Sequence, residues 1–437
     1  MNHTRMKETI VLSVSLLLAR GAAAQAQPDA LQLADLQRAA AAHDARAAEL
    51  ALVDEQAALR VRSIEVDRLP SVGAAAQTQY QSDVPTAPFT LPNGEPAFAP
   101  AKFTYDASLR VDQRLLDPSL APRVSAARSD AAETRARVAT ALFQLRQEVN
   151  DAFFTAALQT EQLSALAATI DDLEARLREV SARVREGTAL AGEAAAVEAT
   201  LLQSRQRADE LRAVRSAALA RLAELTGRAI PPDATLVLPD LATATASARA
   251  SIDRLRARPE YAQFDRTREK LARQQDLSAA LERPQVSAFG RAGYGRPGLN
   301  FISDHAEAYA LGGIQLQWKT WTWQAGASER AALALQQQVV GAEEQAFTSS
   351  LRRAVALDIL SIDRLETALT TDERIVALRD GIDRAARLRL QEGVTTAADY
   401  LDRQTELLAA QVDRARHRIE LAQTRARLLT TLGLEVQ

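Results

Sequence analysis

Three carboxylates are the side chains whose positions in this sequence could do chemistry. Asp399 and Asp402 stand three residues apart, just after Gly393, at the start of a long helical pattern. On a helix, residues with this spacing share one face and lie about 5–6 Å apart. Glu193 holds the corresponding position after Gly187. Carboxylates gathered in this way concentrate negative potential, which favours cations and repels anions; the alternative is an ordinary solvated helical face.

Two helix hairpins are predicted to position these carboxylates. From Leu401 to Leu429 an apolar or small residue recurs at alternating intervals of four and three, which is a heptad pattern. The residues before Gly393 are equally helical, and a similar break falls at Gly187, so each glycine indicates a tip at which the chain turns back. The predicted tip residues are Gly187, Thr188, Gly393 and Val394.

The composition favours extended helices over compact domains. Long tracts without proline, rich in Ala, Leu, Arg, Gln and Glu, fill much of the 437-residue chain. At its start, Arg5 and Lys7 precede a short apolar run and small residues, a pattern typical of a secretory signal peptide, which we place at residues 1–26. Its removal takes away three basic residues and one acidic residue, which changes the formal charge from −3 to −5. Nothing in this charge favours a nucleic-acid partner.

The sequence offers no candidate for catalysis or metal binding. The chain has no Cys, and both Met residues lie in the predicted signal peptide, so the mature chain has neither a disulfide nor a sulfur ligand. The remaining histidines, His43, His305 and His417, stand singly in unrelated segments. No phosphate-binding glycine loop or nucleophile motif occurs. We therefore predict no enzyme activity, no cofactor and no metal site.

Strand patterns interrupt the helical tracts, and the order helix, strand, strand, long helix, returning helix occurs twice, which indicates an internal duplication. The first repeat, 27–240, is predicted to have helices at about 31–67, 119–186 and 188–227, strands at about 71–82 and 101–116, a loop at 83–100 and a linker at 228–240. The second repeat, 241–437, is predicted to have helices at about 251–282, broken or bent at Pro259, and at about 325–392 and 394–432, and strands at about 285–295 and 306–321.

The strand patterns suggest a membrane surface. The strand at 101–116 alternates most clearly, so one face could meet lipid and the other water. Four strands cannot close a barrel within one chain, because the smallest membrane barrels have about eight, and helices of roughly 100 Å leave apolar stripes that one chain cannot cover. A symmetric oligomer would meet both needs. Two groups of aromatic residues are predicted to form belts at the membrane interfaces, with core packing as the alternative: Trp318, Trp321 and Trp323, and Tyr80, Phe103, Tyr105 and Tyr294.

The duplicated order of elements resembles the TolC family of outer-membrane efflux and secretion channels. The matching residues are Gly393, Asp399, Leu401 and Asp402 at the second tip, and residues 108–113 running into Leu116 and Asp117 before the first long helix. The resemblance covers essentially the whole mature chain. It implies a mainly α fold with a membrane β-barrel, in which a trimer pools its strands into one barrel that continues as a long periplasmic α-helical barrel.

The resemblance also implies a function and partners. The homotrimer would be the outer-membrane channel of a tripartite efflux or type I secretion system, held in outer-membrane lipid with a large periplasmic helical domain. An inner-membrane transporter of RND or ABC type would deliver substrates, small molecules more often than proteins, through a periplasmic adaptor protein. Asp399, Asp402 and Glu193 would then form the periplasmic gate. The tip residues would dock the adaptor, although a flexible turn is the other interpretation.

This sequence departs from the family pattern at the tip. The Tyr and Arg that help to lock the closed state in well-studied members correspond here to Leu390 and Thr395, so we expect that lock to be missing. We also expect Asn at positions 399 and 402 to leave trimer stability unchanged, because paired carboxylates repel each other. The rival interpretation is a structural trimeric coiled-coil envelope protein or adhesin with a short membrane barrel. Such a stalk needs no duplication and no returning helices, so the pattern favours the channel.

Overall fold

The computed structural model describes residues 30–84, 89, 92, 101–250, 256–299 and 305–435. The predicted signal peptide at 1–26, most of the predicted loop at 83–100 and the predicted helix start at 251 lie outside these residues. Within the described ranges the chain forms eight α-helices and six β-strands.

Apart from the short strands β1 and β4, the elements follow one another in the same order in the two halves of the chain. The first half contains β1 (Leu31–Gln32), α1 (Leu33–His43), α2 (Ala45–Glu65), β2 (Ser71–Tyr80), β3 (Phe103–Leu116), α3 (Leu120–Arg185), α4 (Ala191–Thr226) and β4 (Leu236–Val237). The second half contains α5 (Ala242–Arg249), α6 (Pro259–Leu281), β5 (Gln285–Arg296), β6 (Glu307–Gln317), α7 (Ala325–Gln391) and α8 (Ala397–Thr431).

Two helices differ from their predicted extent. The helix predicted at 31–67 is divided at Asp44, whose extended backbone ends α1 and whose carboxylate accepts the Arg46 backbone N–H at 2.8 Å at the start of α2. The side chain of Arg46 lowers the pKa of Asp44 to about 2. The helix predicted at 251–282 with a break or bend at Pro259 corresponds to α6, which begins at that proline, because proline suits the first turn of a helix and breaks its interior.

The strands β2, β3, β5 and β6 form one antiparallel sheet in that order, so each half of the chain contributes two neighbouring strands. Strand β6 ends at Gln317 rather than at 321 as predicted. Its partner β5 begins at Gln285, which pairs with Gln317, so residues 318–321 have no strand to pair with. In a separate two-stranded sheet, β1 pairs with β4 in parallel.

Two helix hairpins make up about half of the chain. The long helices α3 and α7 contain 66 and 67 residues, so each is about 100 Å long. Helix α4 packs along α3, helix α8 packs along α7, and the two hairpins contact each other mainly through α3 and α8. No helix in the described part of the chain has both the length and the apolar composition needed to cross a membrane.

The largest hydrophobic core lies where the middle of α3 meets the ends of α4 and α8. Phe153 and Phe154 are fully buried there and pack edge to face, with 5.3 Å between ring centroids. Asn150 connects three helices within this core. Its side-chain oxygen accepts the Gln37 amide at 2.6 Å, and its own amide donates to the Thr430 hydroxyl at 3.2 Å. The core therefore fixes α1, α3 and α8 through both apolar packing and satisfied polar groups.

The substitution Phe153→Ala tests the position of this core. We expect it to lower the free energy of unfolding by about 3–5 kcal/mol, because the buried ring leaves a cavity that the surrounding helices cannot fill. Phe153→Leu keeps more of the buried volume and should lose less stability. Thermal unfolding followed by circular dichroism measures both effects. An unchanged melting temperature for Phe153→Ala would contradict the packing described here.

Candidate functional site

Both hairpins turn at a glycine in the left-handed conformation. Gly187 has a φ of 75° and Gly393 a φ of 73°, a region that residues with a Cβ adopt at a cost. In each turn the backbone N–H of the following residue, Thr188 or Val394, donates at 2.8 Å to the carbonyl five residues earlier, a pattern that ends helices with a glycine. All four tip residues are exposed. The two tips therefore have the same type of glycine turn.

Asp399 belongs to the cap of α8. The Asp399 backbone N–H donates to the Thr396 hydroxyl at 3.1 Å, and the Thr396 backbone N–H donates to the Asp399 carboxylate at 3.4 Å, which makes a capping box. The Thr396 hydroxyl donates to the same carboxylate at 2.8 Å. The hydroxyl of Thr395 also donates to this carboxylate, at 3.2 Å. These bonds, led by the one from the Thr396 side chain, lower the pKa of Asp399. The carboxylate is therefore structural as well as exposed, a role that the sequence analysis did not assign.

The other two predicted gate residues lie near the tips without such bonds to a cap. Asp402 is exposed on the next turn of α8, on the same side of the helix as Asp399. Glu193 occupies the third position of α4, as Asp399 does in α8, but the residue that precedes α4 is Leu190, which has no side-chain acceptor. In the described structure, no hydrogen bond or ion pair joins Glu193 to Asp399 or Asp402. The structure thus brings Asp399 and Asp402 together and leaves Glu193 on the other tip.

A cluster of polar side chains joins the two hairpins close to their tips. Asp172 of α3 accepts hydrogen bonds from the Tyr400 hydroxyl at 3.0 Å and from the Gln404 amide at 2.7 Å, both on α8. Arg387 of α7 donates to Asp172 at 3.0 Å and to the Tyr400 hydroxyl at 3.2 Å. We call these four residues the cross-hairpin cluster. One carboxylate of the first hairpin therefore holds three side chains of the second.

Apolar packing and a cation support this cluster. Tyr400 has no exposed surface, and the guanidinium of Arg176 lies 4.2 Å from the centroid of its ring. Burial raises the pKa of Tyr400, and the charge of Asp172 raises it further. The next residue, Leu401, packs into a small core of the first hairpin formed by Leu173, Val197 and Leu201. The first turns of α8 are thus anchored on α3 and α4.

This arrangement changes the interpretation of the missing lock. Leu390 and Thr395 do occupy the positions at which the family resemblance implies a Tyr and an Arg. A different tyrosine and arginine, Tyr400 and Arg387, contact the first hairpin instead. Sequence reasoning missed this pair because Asp172 and Tyr400 are 228 residues apart in the chain. The only local signal was an aromatic residue beside Leu401 at the start of the heptad pattern.

The four-stranded sheet has one polar and one apolar face. The register places Leu109 and Val111 beside small and apolar residues of β2 and β5 on one face. On the other face, Arg110 forms a two-bond ion pair with Asp112 at 2.8 Å. Polar contacts also cross three strands on this face: Asp106 bonds to Arg291 and Tyr309, and Arg291 donates to Ser108 at 3.0 Å. The alternation predicted from the sequence is therefore a property of the whole sheet.

The predicted aromatic groups lie at opposite ends of the sheet. Tyr80, Phe103, Tyr105 and Tyr294 lie on the apolar face, at the end far from the helices, and all are at least 36% exposed. Trp318, Trp321 and Trp323 follow β6 at the helical end and are 58%, 74% and 85% exposed. The indole N–H of Trp318 donates to the Glu282 carbonyl at 3.2 Å. At these exposures none of the three tryptophans belongs to the core of the chain.

The described residues contain no metal site, and the contact that His417 makes there joins two helices. No group of His, Cys, Asp and Glu side chains there is arranged to hold a metal ion. His417 Nδ1 lies 2.6 Å from the Asp372 carboxylate, between α8 and α7, where the pair links two helices of one hairpin.

Comparison with solved structures finds this architecture in bacterial outer-membrane proteins. The outer membrane protein VceC from Vibrio cholerae is 16% identical, with 93% of this chain and 97% of that chain covered and a TM-score of 0.68. The CmeC outer membrane channel from Campylobacter jejuni is 13% identical, with 92% and 85% covered and a TM-score of 0.69. The open state of the MtrE outer membrane channel from Neisseria gonorrhoeae is 19% identical, with 93% and 89% covered and a TM-score of 0.67.

These similarities extend over nearly the whole chain and show that it has the fold of outer-membrane channels. The mainly helical channel fold implied by the resemblance to the TolC family is therefore confirmed, and the trimeric barrel stays a prediction. The sequence matches no protein-family model and no curated protein.

The substitution Tyr400→Phe tests the cross-hairpin cluster. Loss of a hydrogen bond to a charged group costs about 1.5–3 kcal/mol, so we expect the second tip to open at least about tenfold more often. Trypsin cleavage after Arg389, next to the tip, should accelerate by the same factor, because cleavage follows the population of the open form. Tyr294→Phe, on the sheet, is the control and should cleave like the wild type. Equal rates for all three proteins would show that the cluster does not hold the tip.

Proposed function

We propose that the protein is the outer-membrane channel of a tripartite efflux system or a type I secretion system. It conducts substrates passively, without catalysis, after an inner-membrane transporter of RND or ABC type delivers them through a periplasmic adaptor protein. Small molecules are the favoured cargo, as in the family that the sequence resembles. One observation supports this most: a sheet with opposite polar and apolar faces continues into helices of about 100 Å, in a fold shared with outer-membrane channels.

The open edges of the sheet support a homotrimer. Strands β2 and β6 each have a neighbour on one side only in the described structure. Unpaired strand edges do not occur in lipid, because their backbone groups have no water to bond. Exposed leucine and valine side chains also lie along α7, including Leu335, Val339, Leu357 and Leu360. Further copies of the chain would pair the strand edges and cover these side chains, which gives a ring of strands continued by a ring of helices.

The two faces of the sheet suit a wall between lipid and water. Leu109 and Val111 would face the outer-membrane lipid, while Asp106, Arg110 and Arg291 would line the pore. The exposed tyrosines and Phe103 at one end and the three tryptophans at the other would lie at the two membrane interfaces, where aromatic rings with a polar group are enriched. The helical hairpins would then extend into the periplasm.

The hairpin tips form the gate in this proposal. Asp399 and Asp402 are exposed on one side of α8 near its start, and Glu193 is partly exposed near the start of α4. Three copies around an axis would bring these carboxylates into one constriction, which favours cations. The lowered pKa of Asp399 supports this, because the capped carboxylate stays ionised. The exposed tip residues Gly187, Thr188, Gly393 and Val394 would meet the adaptor.

A structural coiled-coil stalk is the competing proposal. Its helices would run in one direction to the end of the stalk, with one continuous apolar seam. In this chain both long helices are followed by a helix that packs back along them. The returning hairpins therefore favour the channel.

Two substitutions at neighbouring residues of β3, one that adds a charge and one that removes a charge, test which face meets the membrane. Leu109→Arg places a charge toward lipid and should cost about 2–4 kcal/mol per chain near mid-depth. Arg110→Leu breaks an exposed ion pair, a contact worth about 0–1 kcal/mol, and should be better tolerated. Denaturant unfolding of the protein refolded into lipid vesicles measures both. Equal losses from the two substitutions would mean that the faces are assigned wrongly.

Conductance in planar bilayers tests the channel and its gate. The purified protein should be a trimer by light scattering in detergent and should give a cation-preferring conductance that multivalent cations block from the tip side. Asp402→Asn should weaken both the preference and the block, because it removes one of the clustered charges. Asp402 is the cleaner target, since Asn at position 399 would also disturb the capping box.

The control is Asp413→Asn, the same change further along α8, where the carboxylate pairs with Arg416 at the surface. It should leave conductance and block unchanged. A trimer without conductance would contradict the channel. A conducting Asp402→Asn protein with the selectivity of the wild type would show that this carboxylate is an ordinary surface group, and Glu193 would be tested next.

A further inference from the structure

Asp383 is a buried carboxylate without a full set of partners, next to the cross-hairpin cluster. It lies on α7, one helical turn before Arg387, and is only 6% exposed. Its Oδ1 atom is buried and has no hydrogen-bond partner among the described residues, and the same holds for the Nε atom of Arg176 on α3. A buried polar network that is only partly satisfied costs free energy unless something completes it.

The charged groups that face Asp383 come from two helices. Helix α3 contributes Asp172 and Arg176, and α7 itself contributes Asp380 and Arg387. From α8 the cluster adds the hydroxyl of Tyr400 and the amide of Gln404, which are uncharged. Two carboxylates and two guanidinium groups therefore surround this site.

Neither cation is dedicated to Asp383. Arg387 donates its hydrogen bonds to Asp172 and Tyr400, and Arg176 lies over the Tyr400 ring. Burial raises the pKa of Asp383 most. The charge of Arg387 opposes this effect, Asp172 and Asp380 add to it, and Arg176 lowers the pKa slightly. A proton is the smallest ligand that would neutralise this carboxylate without displacing a neighbour.

We propose that Asp383 is a proton-binding site that couples the contact between the two hairpins to pH. This inference rests on the proposed function only for its consequence, which is a tip that opens less readily in acid. A protonated Asp383 places a neutral group between α7 and α3. An ionised one places a poorly solvated charge beside Asp172 and Asp380, which favours separation of the hairpins.

The direction of the pH effect follows from proton linkage. Asp383 binds its proton more tightly in the closed contact than in an open tip, where water would reach it and its pKa would return toward about 3.9. The contribution of Asp383 to the contact is therefore fully present below that value and is lost as the pH rises through the raised pKa. For each unit by which the pKa is raised, the opening equilibrium changes by about tenfold across this range.

Hydrogen exchange of the purified protein in detergent tests this site without requiring a conductance. In the wild type, the amides of residues 400–404, corrected for their intrinsic exchange rates, should lose protection as the pH rises through the raised pKa of Asp383. Asp383→Asn keeps the shape of the side chain and removes the charge, so it should retain the protection seen in acid at every pH. Glu373→Gln, an exposed position on the same helix, should follow the wild type.

The outcomes separate this inference from the proposed function. A pH profile of Asp383→Asn that matches the wild type would overturn the proton site, as would a loss of protection in this variant at every pH. Loss of protection would mean that the ionised carboxylate stabilises the contact. A trimer that conducts but shows no effect of Asp383→Asn would leave the channel standing without the proton site. A protein that gives no conductance but loses its pH effect in Asp383→Asn would support the proton site and contradict the channel.

Discussion

The contact between the two helix hairpins is the interaction on which the rest of this structure depends. A helix of 66 or 67 residues gains most of its stability from tertiary packing rather than from its own propensity. Here α3 is covered by α4, α6 and α8, and α7 is covered by α6 and α8. Because β3 leads directly into α3 and β6 leads into α7, the same packing fixes the distance between the two strand pairs and lets them join into one sheet.

Periodicity in the sequence predicts the elements and faces of this fold, but not every boundary. The alternation around Leu109 and Arg110 assigns both faces of β3 correctly because side chains on a strand alternate strictly. The end of β6 could not be predicted, since it is set by where β5 begins. The division at Asp44 depends on one side-chain cap, and the contact of Asp172 with Tyr400 depends on three-dimensional packing between distant helices.

Asp399 has both a structural and an electrostatic role at the second hairpin tip. Asp399 caps α8, so its carboxylate has a structural role that the argument from repulsion between paired carboxylates left out. The same bonds keep its carboxylate ionised at the exposed end of the hairpin. Glu193 has the equivalent place in α4 but lacks a partner like Thr396. The two halves therefore have the same glycine turn and different caps, which makes only the second tip a fixed arrangement of charge.

The order of the strands determines how a copy with a damaged edge strand would affect its assembly with intact copies. One edge of the sheet, β2, belongs to the first half of the chain, and the other edge, β6, belongs to the second half. The two edge strands run in opposite directions, so in the proposed trimer β6 of one copy would pair with β2 of the next in the same antiparallel sense as within the chain. Such an interface is head to tail and closes only when every copy has both edges. A chain damaged in one edge strand would still join a neighbour through the other and would stop ring closure, so it would act as a dominant-negative subunit.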